Sequence, residues 1–150
     1  MKITIRTASE YDQEAITALV RSERLNPSDL DWRRFLVATD ARGLAGTVQL
    51  RNHFDGSLGL GSLVVRPDTR SRGVGARLID ALMLFARGRV YMITGARFAA
   101  HYAHWGFAPV EPTHAPSGIQ RNYFLGRLAG IASRVIGRTP NPLAVLARAA

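Results

Sequence analysis

The chain has 150 residues, 47% of them hydrophobic and 21% charged, which is one ordinary domain with enough apolar residues for a real core and excludes a wholly disordered chain. It contains no cysteine, which excludes disulfides, thiol nucleophiles and thiolate metal sites. No apolar run reaches the ~18 residues of a spanning helix, and the N-terminus lacks the long apolar stretch of a secretory leader, so the expected compartment is the cytoplasm. Formal charge is +9; Lys2 is the one lysine beside nineteen arginines, and after Asp80 the only acid is Glu111. Such a surface attracts nucleic acid, anionic lipid or a phosphorylated small molecule, but an Arg-rich composition explains much of the total, so individual positions must carry the argument.

The chain opens with an alternating strand, Lys2 to Thr7. Ser9 reads as a helix N-cap with Asp12 three residues on, and Ala15, Ile16, Leu19 and Val20 follow at helical spacing, predicting an amphipathic helix over 10–23. Asn26-Pro27-Ser28 breaks it, and Ser28 is placed to cap a second short helix over 29–34. Strands are predicted over 35–39, 44–51 and 58–66, the first two as a hairpin around Ala41-Arg42-Gly43. Val74, Leu78, Leu82 and Phe85 mark a helix over 73–87, ended by Gly88; Arg89 to Thr94 reads as a buried strand. An Ala-rich helix over 96–104 stops at Gly106, a strand follows over 107–110, then a Pro- and Gly-containing loop over 112–118. Ile119 to Arg138 reads as a basic amphipathic helix, with Arg121, Arg127, Arg134 and Arg138 between apolar residues, and Leu143 to Ala150 as a weakly ordered tail. Hairpins first and strand–helix–strand units later predict a mixed α/β (α+β) sheet, not a doubly wound nucleotide fold. The expected division is a core over 1–111, with the C-terminal helix and tail over 112–150 in the same domain.

Chemistry concentrates in Leu63-Val64-Val65-Arg66-Pro67-Asp68-Thr69-Arg70-Ser71-Arg72-Gly73-Val74-Gly75. A strand turns, two glycines follow, and a helix starts. The first N–H groups of a helix have no internal partner, and its dipole places partial positive charge there. Gly73 and Gly75 allow a phosphate to approach the backbone, and Arg70 and Arg72 add charge, so a pyrophosphate is the natural guest. No Gly-Lys-Ser/Thr follows and Leu78 stands where a dinucleotide fingerprint needs a third glycine, which excludes both commoner phosphate loops.

Arg70-x-x-Gly73-x-Gly75 behind an apolar strand resembles the acyl-CoA pyrophosphate loop of the GNAT superfamily of N-acetyltransferases, and His101-Tyr102-Ala103-His104-Trp105-Gly106-Phe107 resembles its Phe-Tyr-x-Lys-x-Gly-Phe motif. The resemblance covers roughly 2–111 and is closest to small bacterial members similar to the acetyltransferase domains of N-acetylglutamate synthases. It implies a mostly antiparallel central sheet flanked by helices, with the fourth and fifth strands splayed around the pantetheine arm of acetyl-CoA. It implies that Leu63, Val64 and Val65 pair with that arm, that Arg70, Ser71, Arg72, Gly73, Val74 and Gly75 cradle the pyrophosphate, and that Tyr102 protonates the departing thiolate. His101 and His104 replace the motif Phe and Lys. The strand stretch where many members carry a Glu has no carboxylate here, leaving Glu23, Asp55, His53 or a bound water as the base. The expected activity is transfer of an acetyl group, without a metal, to the primary amine of an amino acid or similar small molecule by direct attack. A non-catalytic acyl-CoA-binding module is the alternative, and a basic nucleic-acid-associated protein a more distant one. The partners expected are a small-molecule amine and, through the C-terminal helix, a second copy; neither a specific nucleic acid nor a membrane span is expected.

Overall fold

The computed structural model describes residues 2–23, 25–135 and 142–149, with the side chains of 129–135 left out. The described chain forms seven strands and four α-helices: β1 (Thr4–Thr7), α1 (Gln13–Ser22), β2 (Phe35–Asp40), β3 (Gly43–Asn52), β4 (Leu58–Val65), α2 (Val74–Phe85), β5 (Val90–Gly95), α3 (Ala99–Tyr102), β6 (Ala108–Val110), α4 (Ser117–Val135) and β7 (Leu143–Arg148). The pairings of described register, β1–β2, β2–β3, β5–β7 and β6–β7, are antiparallel. This is the expected mixed α/β architecture, mostly antiparallel and flanked by helices. The chain divides into two compact units, Met1–Arg51 with Leu60–Ala86, and Asn52–Gly59 with Arg87–Ala150.

In the first unit the strands lie in the order β1-β2-β3-β4. Residues 35–38 of β2 are all buried because the strand is covered on both faces. Phe35 and Val37 pack with Ile16 and Val20 of α1 and with Val64. Ala38, one residue out of step, pairs with Gly46 on the opposite face. A Cβ on Gly46 would lie 3.0 Å from the Val64 carbonyl oxygen, 3.1 Å from Leu78 Cδ1 and 3.3 Å from Val74 Cγ1. The absent side chain lets the start of α2 settle directly on the sheet. Burial of Val74, Leu78, Ile79 and Leu82 holds that helix with its N-terminus beside the end of β4.

Before α1, Ser9 and Asp12 act as expected: the Ser9 N–H donates to Asp12 Oδ2 at 2.7 Å, and Arg6 grips the same carboxylate with two bonds. That guanidinium, helped by the Ser9 bonds, brings the Asp12 carboxyl down to about 2. The helix expected over 29–34 is only a single tight turn, Trp32–Arg34, capped by Asp31, which accepts from the Arg33 N–H. Ser28 does not cap it: its N–H and hydroxyl both donate to Asn26 Oδ1, and Asp29 takes a left-handed φ of +56 that a helix cannot contain.

In the second unit the order is β5-β7-β6. Tyr91, Ala115, Ile119, Val145 and Ala147 form its core, with α4 packed on β5 and β7. The expectation of a weakly ordered tail after Leu143 is corrected here. Leu143–Arg148 is a strand bonded on both edges, with Val90 opposite Arg148 and Ala108 opposite Ala147. Val145, Leu146 and Ala147 are buried in succession, an apolar run too short for its period to separate strand from helix, and two flanking neighbours satisfy its backbone. The helix expected from Ile119 begins at Ser117; its predicted end, 136–138, lies outside the described residues. Of its apolar residues, Ile119 and Tyr123 join the core, while Phe124, Leu125 and Leu128 are exposed.

Candidate functional site

β4 ends at Val65, and a framework of ion pairs fixes the turn that leaves it. The Arg66 N–H donates to the Ala45 carbonyl at 2.7 Å, and its guanidinium bridges Asp40 and Asp68, with Arg42 gripping Asp68 from the other side at 2.6 Å. The two carboxylates hold the Arg66 charge in place and raise its pKa. Buried Thr69 closes the tight turn Pro67–Thr69 by donating its hydroxyl to the Arg66 carbonyl at 2.9 Å. Sequence reading missed this framework, because its four charged residues are scattered between positions 40 and 68 and only the β2–β3–β4 register brings them together.

Beyond it the backbone turns sharply. Ser71 has φ +67 and Gly73 φ +75; the serine is one of three non-glycine residues in the left-handed region among the described residues, a conformation that persists where its surroundings impose it. Gly73 is the N-cap of α2 and contributes no side-chain cap. The first intrahelical bond is Arg77 N–H to the Gly73 carbonyl, so the N–H groups of Val74, Gly75 and Ala76 carry no intrahelical bond, at the positive end of the dipole. Ser71, Arg72 and Gly73 are exposed. A Cβ on Gly75 would touch only Val65 Cγ2, at 3.6 Å, and one on Gly73 nothing within 4 Å. Gly73 is therefore explained by its φ, whereas the protein's own packing gives no reason for Gly75. This cradle suits a diphosphate.

Arg70 is tied back at this mouth. Its Nε donates to the Val65 carbonyl at 3.2 Å, and Nη2 pairs with Glu23 Oε1 at 2.8 Å. Glu23, the C-cap of α1, is thus brought to the loop as an ion-pair partner of one of its arginines. Leu63 and Val65 are half-buried and Val64 is buried.

In the second unit Tyr102 is the last residue of α3, and its half-buried ring lies edge-on to His101 at 5.1 Å between centroids. Burial pushes its phenol above the ordinary value, so the group keeps its proton through neutral pH. His101 and His104 are exposed. Gly106 makes the left-handed turn, φ +85, that delivers buried Phe107. Asp55 is occupied structurally: it accepts from the Gly118 N–H near the start of α4 at 2.9 Å and from the Ser57 hydroxyl at 2.6 Å. Those bonds bring its carboxyl down to about 2, which makes it a weak base. His53 packs against two glycine positions: a Cβ on Gly59 would lie 2.9 Å from His53 Nε2, and one on Gly118 2.5 Å from His53 Cβ. Among the described residues no group of three His, Asp or Glu side chains is arranged to hold a metal, and no helix is long and apolar enough to cross a membrane.

The chain is thus a mostly antiparallel α/β protein with free helix-start N–H groups beside the end of a strand. The chain belongs to the GNAT acetyltransferases: the acetyltransferase (GNAT) domain model matches residues 31–109, more than half of it. Solved structures are similar in fold at low identity. N-acetylglutamate synthase from Neisseria gonorrhoeae, complexed with coenzyme A and N-acetyl-glutamate, superposes with TM-score 0.74 at 18% identity over 99% of this chain and 35% of that one. Rv2747 from Mycobacterium tuberculosis, in complex with CoA, gives 0.73 at 20% identity over 98% and 99%. A GNAT-family acetyltransferase from Staphylococcus aureus gives 0.70 at 14% identity over 99% of each chain. The chain therefore spans about a third of the Neisseria synthase and nearly all of the other two. No curated protein sequence matches it.

Proposed function

We propose that the chain is an N-acetyltransferase that moves an acetyl group from acetyl-CoA to the primary amine of a small molecule, an amino acid or a compound like one. The observation that carries this reading is the cradle at the head of α2, where left-handed Ser71 and Gly73 precede three N–H groups without intrahelical bonds. Arg70, Ser71, Arg72, Gly73, Val74 and Gly75 would bind the pyrophosphate, and the backbone of Leu63, Val64 and Val65 the pantetheine arm. No cysteine is available, so no thioester to the protein forms and the amine attacks directly. As the C–N bond forms and the C–S bond breaks, a fourth-strand N–H, of Val64 or Val65, polarises the carbonyl oxygen. Tyr102, kept protonated by burial, gives its proton to the leaving thiolate. Glu23 is the candidate base. Its ion pair with Arg70 couples it to cofactor binding, because a turn of Arg70 toward the pyrophosphate releases the carboxylate to take the ammonium proton.

The test is release of free thiol from acetyl-CoA across amino acids, polyamines, aminoglycosides and peptides, with Gly73→Glu as control and CoA titrated in the same samples. Amine-dependent release, lost in the control, is the expected result. Absence of CoA binding would overturn the reading, and tight binding without turnover would leave a CoA-binding module.

A further inference from the structure

On the α1-facing side of β3, Thr47, Gln49 and Arg51 follow one another at alternate positions, within 0, 0 and 8% of full exposure. Val37 lies opposite Thr47 and Phe35 opposite Gln49, so these polar groups continue an apolar row. Ser62 on β4 gathers them. Thr47 donates to its carbonyl oxygen at 2.8 Å, Gln49 Nε2 donates to its hydroxyl at 2.8 Å, and Arg51 Nη2 reaches the same hydroxyl only at 3.4 Å. Ser62 holds a left-handed φ of +52, which a non-glycine residue within a strand adopts at a cost.

The cluster has two buried polar atoms without a hydrogen-bond partner among the described residues, Arg51 Nε and Gln49 Oε1. The remaining described bond of Arg51 Nη2 runs to the Ser28 carbonyl at 3.3 Å. No carboxylate is bonded to this guanidinium among the described residues; Asp29 acts on it only at a distance, and Arg34 opposes Asp29. A buried charge so sparsely paired is costly, and the cost is explained when a ligand supplies the missing partner. The unpaired Nε and the weakly bonded Nη2 form one edge of the guanidinium fork, a shape that matches the two oxygens of a carboxylate. Gly61 places backbone and no side chain over this nitrogen: a Cβ on it would sit 3.1 Å from Arg51 Nε and 3.5 Å from Cδ and Cζ. Ser28, whose carbonyl Arg51 reaches, and Asp29 after it are exposed.

We propose that the Nε–Nη2 edge of Arg51 binds the carboxylate of the acceptor, with Ser62 Oγ beside it and Gln49 Oε1 accepting an N–H of the same ligand. The acceptor is then an amino acid with a free carboxylate, not a polyamine or an aminoglycoside. This inference rests on the acetyl-transfer reading for its chemistry, but its binding site stands separately.

The experiment pairs each L-amino acid with its carboxamide in the thiol-release assay, for the wild-type chain, Arg51→Gln and Gly61→Ala. The wild type is expected to prefer acid over amide by roughly 10- to 100-fold in kcat/KM, chiefly through KM, the range of a charge-assisted hydrogen bond. Arg51→Gln should bring the ratio near one. Gly61→Ala keeps the charge but crowds Nε, and should cut the ratio about tenfold. The 15N resonance of Arg51 Nε in the wild-type chain gives a readout independent of turnover and of any variant's folding; it should move with the amino acid and stay still with the amide. Turnover with equal ratios in wild type and Arg51→Gln, or an unmoved Nε resonance, overturns this proposal while acetyl transfer stands. A moving resonance without turnover of any amine supports the carboxylate site and removes acetyl transfer instead.

Discussion

Substituting alanine at the two glycines of the cradle should affect stability with opposite signs and CoA binding with the same sign. Gly73 is held at φ +75 with open space where a Cβ would go. Gly73→Ala therefore meets no clash and incurs only the left-handed penalty of about 1 kcal/mol, which lowers Tm by roughly 2–4 °C in a chain of this size. Gly75 lies in the first turn of α2, and its Cβ would make one ordinary contact, with Val65 Cγ2 at 3.6 Å. Gly75→Ala gains helix propensity, of which a first-turn position realises about 0.5 kcal/mol, so Tm should rise by roughly 1–2 °C. Both methyl groups stand where a phosphate would approach the free N–H groups, and losing one good charge-assisted bond weakens CoA by about tenfold or more. Thermal unfolding without ligand gives the two shifts, and calorimetric titration of CoA gives the affinities. A stabilised Gly75→Ala chain that binds CoA as tightly as the wild type would refute the placement of the pyrophosphate.

Three further outcomes are expected. Tyr102→Phe should lower kcat by about 100-fold with CoA affinity intact; because burial raises the Tyr102 pKa above its ordinary value, a falling alkaline limb well below pH 10 that vanished in the variant would contradict the assignment. Glu23→Gln frees Arg70 from its 2.8 Å partner, so CoA should bind a few-fold more tightly while kcat falls; unchanged CoA affinity would remove the ion pair from the account. Asp55→Asn should lower Tm at neutral pH by weakening the bond to the Gly118 N–H. The folded Asp55 pKa of about 2 lies below the ordinary carboxylate value, so its contribution is complete above the unfolded pKa and disappears as pH falls through the folded one. The Tm gap between variant and wild type should shrink from about pH 4 to pH 2 and close below it, and a gap as wide at pH 2 as at neutral pH would show another cause.

The parts of the fold and site written in short-range pattern were legible in the sequence. Arg70, Gly73 and Gly75 lie within six residues, and strand, turn and helix start are each local, so this stretch of backbone could be read without coordinates. The Ser9–Asp12 box at the first helix was readable for the same reason, since both partners lie within one turn. Leu143–Arg148 was misread because its strand character comes from β5 and β6 on either side, not from its six residues. Ser28 was misassigned as a cap because Asp29 takes a left-handed φ that starts no helix, and Asp31 caps the turn that does form.

The sequence by itself determined the mixed α/β class and the glycine turn into the α2 start, since turn chemistry and helix starts depend on neighbours along the chain. Only the tertiary structure decided what the scattered charges do. It paired Glu23 with Arg70 across 47 positions, assembled Arg66 between Asp40 and Asp68, and buried Arg51 beneath Ser28 with one nitrogen unpaired. Strand register and helix packing fix such distances, and neither the identity of a charged residue nor its immediate neighbours carries that information.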